Sequence, residues 1–366
     1  MNRLIIIGNG FDLAHGVKSK YEDFLLWYLM YKVEELDENT PAIDRLCSIQ
    51  VKKEFKYNLL IPRYPDFYEV ESYQEFLKAV ENSSYEVVMY SEFFKSIINE
   101  TRWIDIENIY YSFLKAAMVP GKRTRNNEPF PNIETINNDL DFLRDKFIEY
   151  LSEECNAFNF NISASPYLDL FNKKINYQDR NELVPDANRN KIRSAKTTLL
   201  NFNYTNLLKK YQETNQRTGD SIELIQIHGS VDSPENIVFG FGDELDETYH
   251  EIERLNENKF FEHIKSFRYF QDGNYQKLMA FVDNSDFEVL VLGHSLGLSD
   301  RTMLSQIFEN DNLKKVQLYY YKDQKDFTEK TYEISRHFSS KGRMRELIVP
   351  FTESEQMPQV KMNSEE

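Results

Sequence analysis

The chain opens MNRLIIIGNG, an aliphatic run from Leu4 to Ile7 that stops at Gly8. A strand without polar alternation has no face to offer water. It must lie inside a sheet covered on both sides, as parallel sheets are. The glycines that end it permit a sharp turn and close backbone approach. A helix starting there would offer its first N–H groups to a phosphate. This beginning predicts an α/β chain with an open parallel sheet and a phosphate-bearing ligand at the first turn.

Further runs of the same kind come only after a long interval. Thr197–Asn203 leads into Tyr204-Thr205-Asn206, Ile222–Ile227 stops at His228-Gly229, and Phe287–Leu292 stops at Gly293. Asn236–Phe241, Val316–Tyr321 and Leu347–Pro350 are shorter strand expectations. Between the first strand and the rest, the spacing of apolar residues predicts helices over Tyr21–Leu36, Ser72–Glu81, Glu92–Thr101, Ile104–Met118 and Leu140–Glu154. Pro120–Asn138 and Ser163–Asn190 read as loops. The expected organisation is a sheet domain of residues 1–24 and 196–351. A mostly helical insertion over 25–195 interrupts it, and a flexible polar tail follows over 352–366.

A length of 366 residues allows one α/β domain with such an insertion. Lys and Arg total 44 against 60 Asp and Glu, a net charge of −16. A field of that sign opposes non-specific binding to nucleic acid or an anionic membrane. Cys47 and Cys155 form no CxxC pair, as expected of a protein in a reducing cytoplasm. The first apolar run is too short for a signal segment or a membrane span.

Gly8-Asn9-Gly10-Phe11-Asp12-Leu13 is not the dehydrogenase fingerprint. That pattern wants a third glycine where Leu13 stands, and an acid at the end of a second strand ~20 residues on. A tight turn with no ligand would use the same glycines. Asn9 and Asp12 favour the ligand, because they add polar groups where ribose or phosphate would lie. Asn203-Tyr204-Thr205 and His228-Gly229 also follow strand-like runs, and ligands bind at the carboxyl ends of strands in open sheets. Gly293-His294-Ser295-Leu296-Gly297 matches the nucleophile elbow of serine hydrolases, with Asp323 and His337 in the right order for a triad. However, Leu298-Ser299-Asp300 intervenes before the next helix, with Ser299 or Asp300 as its N-cap, and His337 precedes the last strand. Trp103-Ile104-Asp105-Ile106-Glu107 reads as a core tryptophan beside an acidic helix face, with Glu107 a minor pocket candidate. No spacing of His, Cys and carboxylates predicts a metal site.

Taken in order, NRLIIIGNGFDLAHG, LNFNYTNLL, IHGSV, IVFGFGDE and LGHSLGLSD resemble the bacteriophage abortive-infection AbiH family, from Asn2 to about Phe308. More distantly, the same order resembles sirtuin-like, Rossmann-type nucleotide-binding domains. In those, a glycine loop, an Asn-Tyr strand end, a His-Gly strand end and a Gly-x-Ser…Asp turn surround the nucleotide. Thr205 replaces the usual acid of the second motif, and two cysteines cannot supply the four zinc ligands of sirtuin deacetylases.

The resemblance implies an anti-phage effector that binds NAD or a related nucleotide as substrate, with no prosthetic group, and cleaves its N-glycosidic bond. Asn203 would orient the ribose or the attacking water, and His228 would accept a proton. Gly8, Asn9 and Gly10 would cradle pyrophosphate, with Phe11 and Gly293 in the same turns. Asp12 would bond a ribose hydroxyl or order the loop. Tyr204, Ser295 and Asp300 would complete the nucleotide site. The alternatives are a nucleotide-binding sensor without catalysis, and a serine hydrolase using Ser295. A phage trigger or partner defence protein and homo-oligomeric assembly are further expectations.

Overall fold

The computed structural model describes residues 1–36, 40–55, 70–100, 105–158, 162–173, 196–218 and 222–360. β1 (Asn2–Ile7) turns into α1 (Asn9–Ala14), and α2 (Tyr21–Glu34) follows. Next come β2 (Ala42–Ile43), β3 (Cys47–Val51), α3 (Tyr73–Glu81), β4 (Tyr85–Met89), α4 (Glu92–Ile98), α5 (Ile106–Ala117), α6 (Ile133–Ala157) and α7 (Pro166–Asn172). The chain returns through β5 (Thr197–Asn201), α8 (Leu207–Thr218), β6 (Ile222–Gln226), α9 (Glu247–Leu255), α10 (Lys265–Arg268) and α11 (Asn274–Asn284). It finishes with β7 (Phe287–Leu292), α12 (Arg301–Phe308), β8 (Leu313–Leu318), α13 (Gln324–Ser335) and α14 (Lys341–Leu347).

Five strands form one all-parallel sheet in the order β6-β5-β1-β7-β8. This is the 3-2-1-4-5 order of a Rossmann-type sheet, which reverses direction between β1 and β7. The sheet is covered on both faces, as the unalternating runs require. Leu4, Ile6, Val289 and Val291 belong to one core. Ile5, Ile7, Leu290 and Leu292, the residues between them, belong to the opposite core. All six residues of β7 are buried.

The insertion is not purely helical. β2, β3 and β4 form a small antiparallel sheet. Its strands are short, and β4 is only partly buried, so they carry little of the aliphatic signal that marks the main sheet. Three helices follow their expected ranges closely, while α6 starts earlier, at Ile133, because Asn132 caps it through the Thr135 amide. Trp103, Ile104 and the stretch 174–190 lie outside the described residues.

Two strand expectations fail for identifiable reasons. Asn236 ends a 3-10 turn, and beyond it Ile237, Phe239 and Phe241 join the aromatic core of the insertion while Val238 joins a core of the main sheet, so no strand forms here. At Leu347–Pro350, α14 ends at Leu347 and only Ile348 bridges to β8. The expected flexible tail is anchored as far as Val360. Met357 is buried, and the Val360 amide donates to the Ala14 carbonyl. The Tyr167 hydroxyl also donates to the Pro358 carbonyl. One methionine and backbone pairing thus override a polar composition. Cys47 and Cys155 are buried free thiols. Among the described residues no helix is long and apolar enough to cross a membrane.

Arg3 and Glu288 face each other across β1 and β7, with Arg3 Nη2 2.6 Å from Glu288 Oε1. Both side chains are buried, so removing one partner strands a charge in the sheet. Arg3→Met should cost about 3–5 kcal/mol in urea unfolding, and Arg3→Met with Glu288→Leu should recover most of that loss. Equal losses in the single and double variants would show that the pair is not what holds these strand starts.

Candidate functional site

The loops at the carboxyl ends of the strands enclose a cavity of about 750 Å³. That is the size of a small-molecule or cofactor site. Gly8, Asn9, Gly10, Asp12, Asn203, Tyr204, His228, Gly293, Ser295 and Asp300 all line it. Only Phe11 of the sequence-derived set does not. Its ring is fully buried against His15, Tyr167 and Tyr211. Asp105, Glu107 and Phe147 close the cavity from the insertion, with Tyr21 at the start of α2 beside them.

The glycines are required by packing between the two turns. A Cβ on Gly8 would stand 2.5 Å from His294 Cα, and one on Gly10 2.7 Å from Gly293 Cα. Gly293 also has φ +69°, and a Cβ there would meet the Phe11 amide nitrogen at 2.4 Å. The Gly8 amide donates to the Leu292 carbonyl, the Gly10 amide to the Gly293 carbonyl, and the Phe11 amide to the Gly8 carbonyl. These three amides are therefore engaged within the protein and do not face a phosphate. They form an interlock that fixes two strand ends against each other, while Gly8, Asn9 and Gly10 line the cavity.

Asn203 is held from several sides. Its amide nitrogen donates to Asn201 Oδ1, and its side-chain Nδ2 donates to the Gly8 carbonyl at 3.1 Å. Thr205, standing where the sirtuin-like pattern has an acid, donates its hydroxyl to Asp12 Oδ2 at 2.8 Å. The carboxylate thus arrives from the turn after β1. Asp12 Oδ1 is buried without a hydrogen-bond partner. Burial pushes the Asp12 carboxyl up to about 7, against the opposing pull of Thr205 and Asn203.

Behind the cavity lies a buried ionic cluster. Lys265 Nζ, at the start of α10, is 2.8 Å from both Glu107 Oε2 of α5 and Asp300 Oδ1. Burial alone would lower the Lys265 pKa, but the two carboxylates together raise it. Asp300 has the N-cap position of α12 but makes no capping bond with its side chain. Burial pushes its carboxyl up, and Lys265 with His228 more than reverses this, so it stays ionised. Glu107 is pushed up to about 7, burial outweighing Lys265.

Burial, then Lys265, lowers the His228 pKa, which leaves the ring neutral at pH 7. The ring bonds the Phe202 carbonyl, and Nε2 stands 3.0 Å from Asp300 Oδ1, off the line of a hydrogen bond. Both nitrogens face protein oxygens, and the nearby Lys265 ammonium opposes a positive charge on the ring. Burial lowers His294 to about 3, and its Nδ1 accepts from the Leu296 amide.

The triad reading fails on geometry. Ser295 is exposed at the cavity wall. Asp323 caps α13 through the Lys325 and Asp326 amides, and His337 Nε2 bonds the Leu296 carbonyl. Leu296 is buried with φ +60°, and His294 and His337 hold that strained turn from both sides. Apart from the cavity, Asp141, Glu262 and His263 form the described group with metal-ligand proximity, and Arg144 pairs with Asp141 at 2.7 Å.

Lys265 could not be found by motif, since it sits in an unremarkable stretch after Ile264. Its partner Glu107 was marked only weakly. Lys265→Met should cost about 3–5 kcal/mol, because Glu107 and Asp300 would face each other unneutralised. The deficit against wild type should be larger at pH 8 than at pH 5, since protonation relieves that repulsion in acid. Urea unfolding at both pH values checks this, and an equal deficit would remove Lys265 as the neutralising charge.

No curated protein and no solved structure matches the chain. A family model, described as bacteriophage abortive infection AbiH, matches residues 4–322. That stretch runs from the first strand past the last and covers well over half of the chain, so the chain belongs to the AbiH family of bacteriophage abortive infection.

Proposed function

We propose that the cavity binds a nucleotide and that the chain cleaves NAD, or a related nucleotide, at the N-glycosidic bond as its act in abortive infection. One observation carries the reading. Asn203, His228, Ser295 and Asp300, brought from three strand ends far apart in sequence, line one cavity where the sheet order reverses. That crevice is where open α/β sheets bind ligands.

The charge distribution fits the reaction. Breaking the bond between nicotinamide and ribose builds positive charge on the sugar. The carboxyl groups of Asp12, Asp105, Glu107 and Asp300 on the wall favour it. Phe202 and Tyr204 offer apolar surface to a planar base. The loop amides are engaged, so the pyrophosphate would meet Lys18, Lys20 and Lys330, which also line the cavity. Asn203, fixed by Gly8, would orient the ribose, and His228 would hold the Asp300 side of the site. A phage trigger or partner protein, acting with assembly into a homo-oligomer, would keep the reaction silent before infection.

A second reading, binding without cleavage, draws support from His228, whose nitrogens face protein oxygens. Incubation with NAD separates the two. Cleavage predicts nicotinamide release that falls at least ~100-fold in Asn203→Ala and His228→Ala. A sensor predicts no release but stabilisation by NAD or ADP-ribose, worth ~2.7 kcal/mol at about 100 times Kd. Neither release nor stabilisation would end both readings.

A further inference from the structure

We infer that Asp12, working through the Thr205 hydroxyl, is the proton acceptor of this site and that His228 is a positioning residue. The inference rests on the cleavage reading and names its base.

The argument starts from a carboxyl group in an unusual state. Asp12 is 1% exposed and lies at the cavity wall. One oxygen receives the Thr205 hydroxyl, and the other has no partner. A buried carboxylate with an unmade hydrogen bond is costly, and native proteins rarely keep one without use. No charged side chain offsets the cost. The titratable neighbours are Cys155 on α6 and His15 one turn along α1. Burial raises the Cys155 thiol, keeping it protonated, and lowers His15 to about 4, keeping it neutral. Across the interlock, His294 is neutral as well.

His228 also holds a buried atom without a hydrogen bond, Nε2, but it differs in its charged neighbours. Its nitrogens face the Phe202 carbonyl and Asp300, and Lys265 disfavours a second positive charge. A proton taken up at Nε2 would form an imidazolium in the buried cluster that already holds the Lys265 ammonium. Asp12 has no such neighbour, and Thr205 lines the cavity and can accept from water while donating to Asp12.

The step balances. The oxygen of water bonds to the anomeric carbon of the ribose as the carbon–nitrogen bond breaks. The electron pair of that bond stays on the nicotinamide nitrogen, and the ring leaves neutral. The proton of water passes to the Thr205 oxygen while the Thr205 proton passes to Asp12, which later releases it to solvent. A base ionising near 7 is matched to this transfer at cellular pH.

The test uses the full chain, following nicotinamide release from NAD between about pH 5.5 and 9, with ADP-ribose binding measured by calorimetry. Wild-type turnover should rise through about pH 7. Asp12→Asn should lower kcat at least ~100-fold with ADP-ribose affinity kept within about threefold. Thr205→Val removes both the relaying hydroxyl and the bond that favours the charged form, so kcat should fall and the pH profile of the remaining activity should move to higher pH, a shift that loss of packing alone would not cause. If Asp12→Asn keeps wild-type turnover, the base lies elsewhere and the cleavage reading survives. If the wild type releases no nicotinamide, the cleavage reading itself falls.

A substrate-free measurement judges Asp12 independently. Its folded pKa lies above the unfolded value, so the folded chain holds a proton that the unfolded chain has lost between about pH 4 and pH 7. Wild-type Tm should therefore drop relative to Asp12→Asn as pH rises from about 5 to about 8. A constant difference would overturn the inference whatever the turnover shows.

Discussion

The contact on which the site depends is backbone against backbone. Gly8 and Gly10 at the end of β1 close onto Gly293 and His294 at the end of β7, with no room for a Cβ between them. Two parallel strands at the reversal point would ordinarily leave a crevice there. Here the turns join across it by the Gly10-to-Gly293 hydrogen bond and form one wall of the cavity. Every polar group that matters is then referenced to this interlock. Asn203 bonds the Gly8 carbonyl, Asp12 begins one turn further on, and His294 caps the strained turn at Leu296.

From that fixed point the insertion is attached electrostatically as well as by packing. Glu107 comes from the insertion, Asp300 from the turn after β7, and Lys265 from the segment after β6. Three chain segments share one ammonium group inside the protein. An apolar contact of the same size would hold them as tightly, since buried ion pairs give little net stability. What the charges add is a requirement for registry, because misplacing any one leaves another uncompensated. The aromatic segment Ile237–Phe241, packed on the insertion core, makes the same connection by apolar means.

The parts of this fold legible in the sequence are those where one physical pressure acts alone. β1, β5 and β7 carry unalternating apolar runs because helices cover both faces, so those runs stand out and end where the cavity begins. Asn236–Phe241 shows the same apolar character for another reason: Ile237, Phe239 and Phe241 serve the insertion core and Val238 that of the sheet. Hydrophobicity along a chain does not say which core will take it. β2–β4 were silent because a small, partly buried sheet needs few apolar positions. Lys265 was silent because a buried lysine looks like a surface lysine until its partners are placed. The glycines mark a place of close approach in the sequence, and what approaches them is Gly293 and His294.

Within this single cavity, two carboxyl groups occupy opposite electrostatic states. Asp300 meets Lys265 and His228, and it stays charged over the physiological range. Asp12 meets only the neutral Thr205 and Asn203, and its charge is balanced near neutrality. Burial is complete for both, so the difference comes entirely from where the cation is placed. Pairs of acids driven apart in this way divide work between a fixed charge and a proton carrier. In this chain the fixed charge is tied to the insertion through Lys265, and the proton carrier to the interlocked turns through Asp12. Any movement of the insertion that displaced Lys265 would discharge the first state while leaving the second intact, so the geometry couples the insertion to Asp300 and not to Asp12.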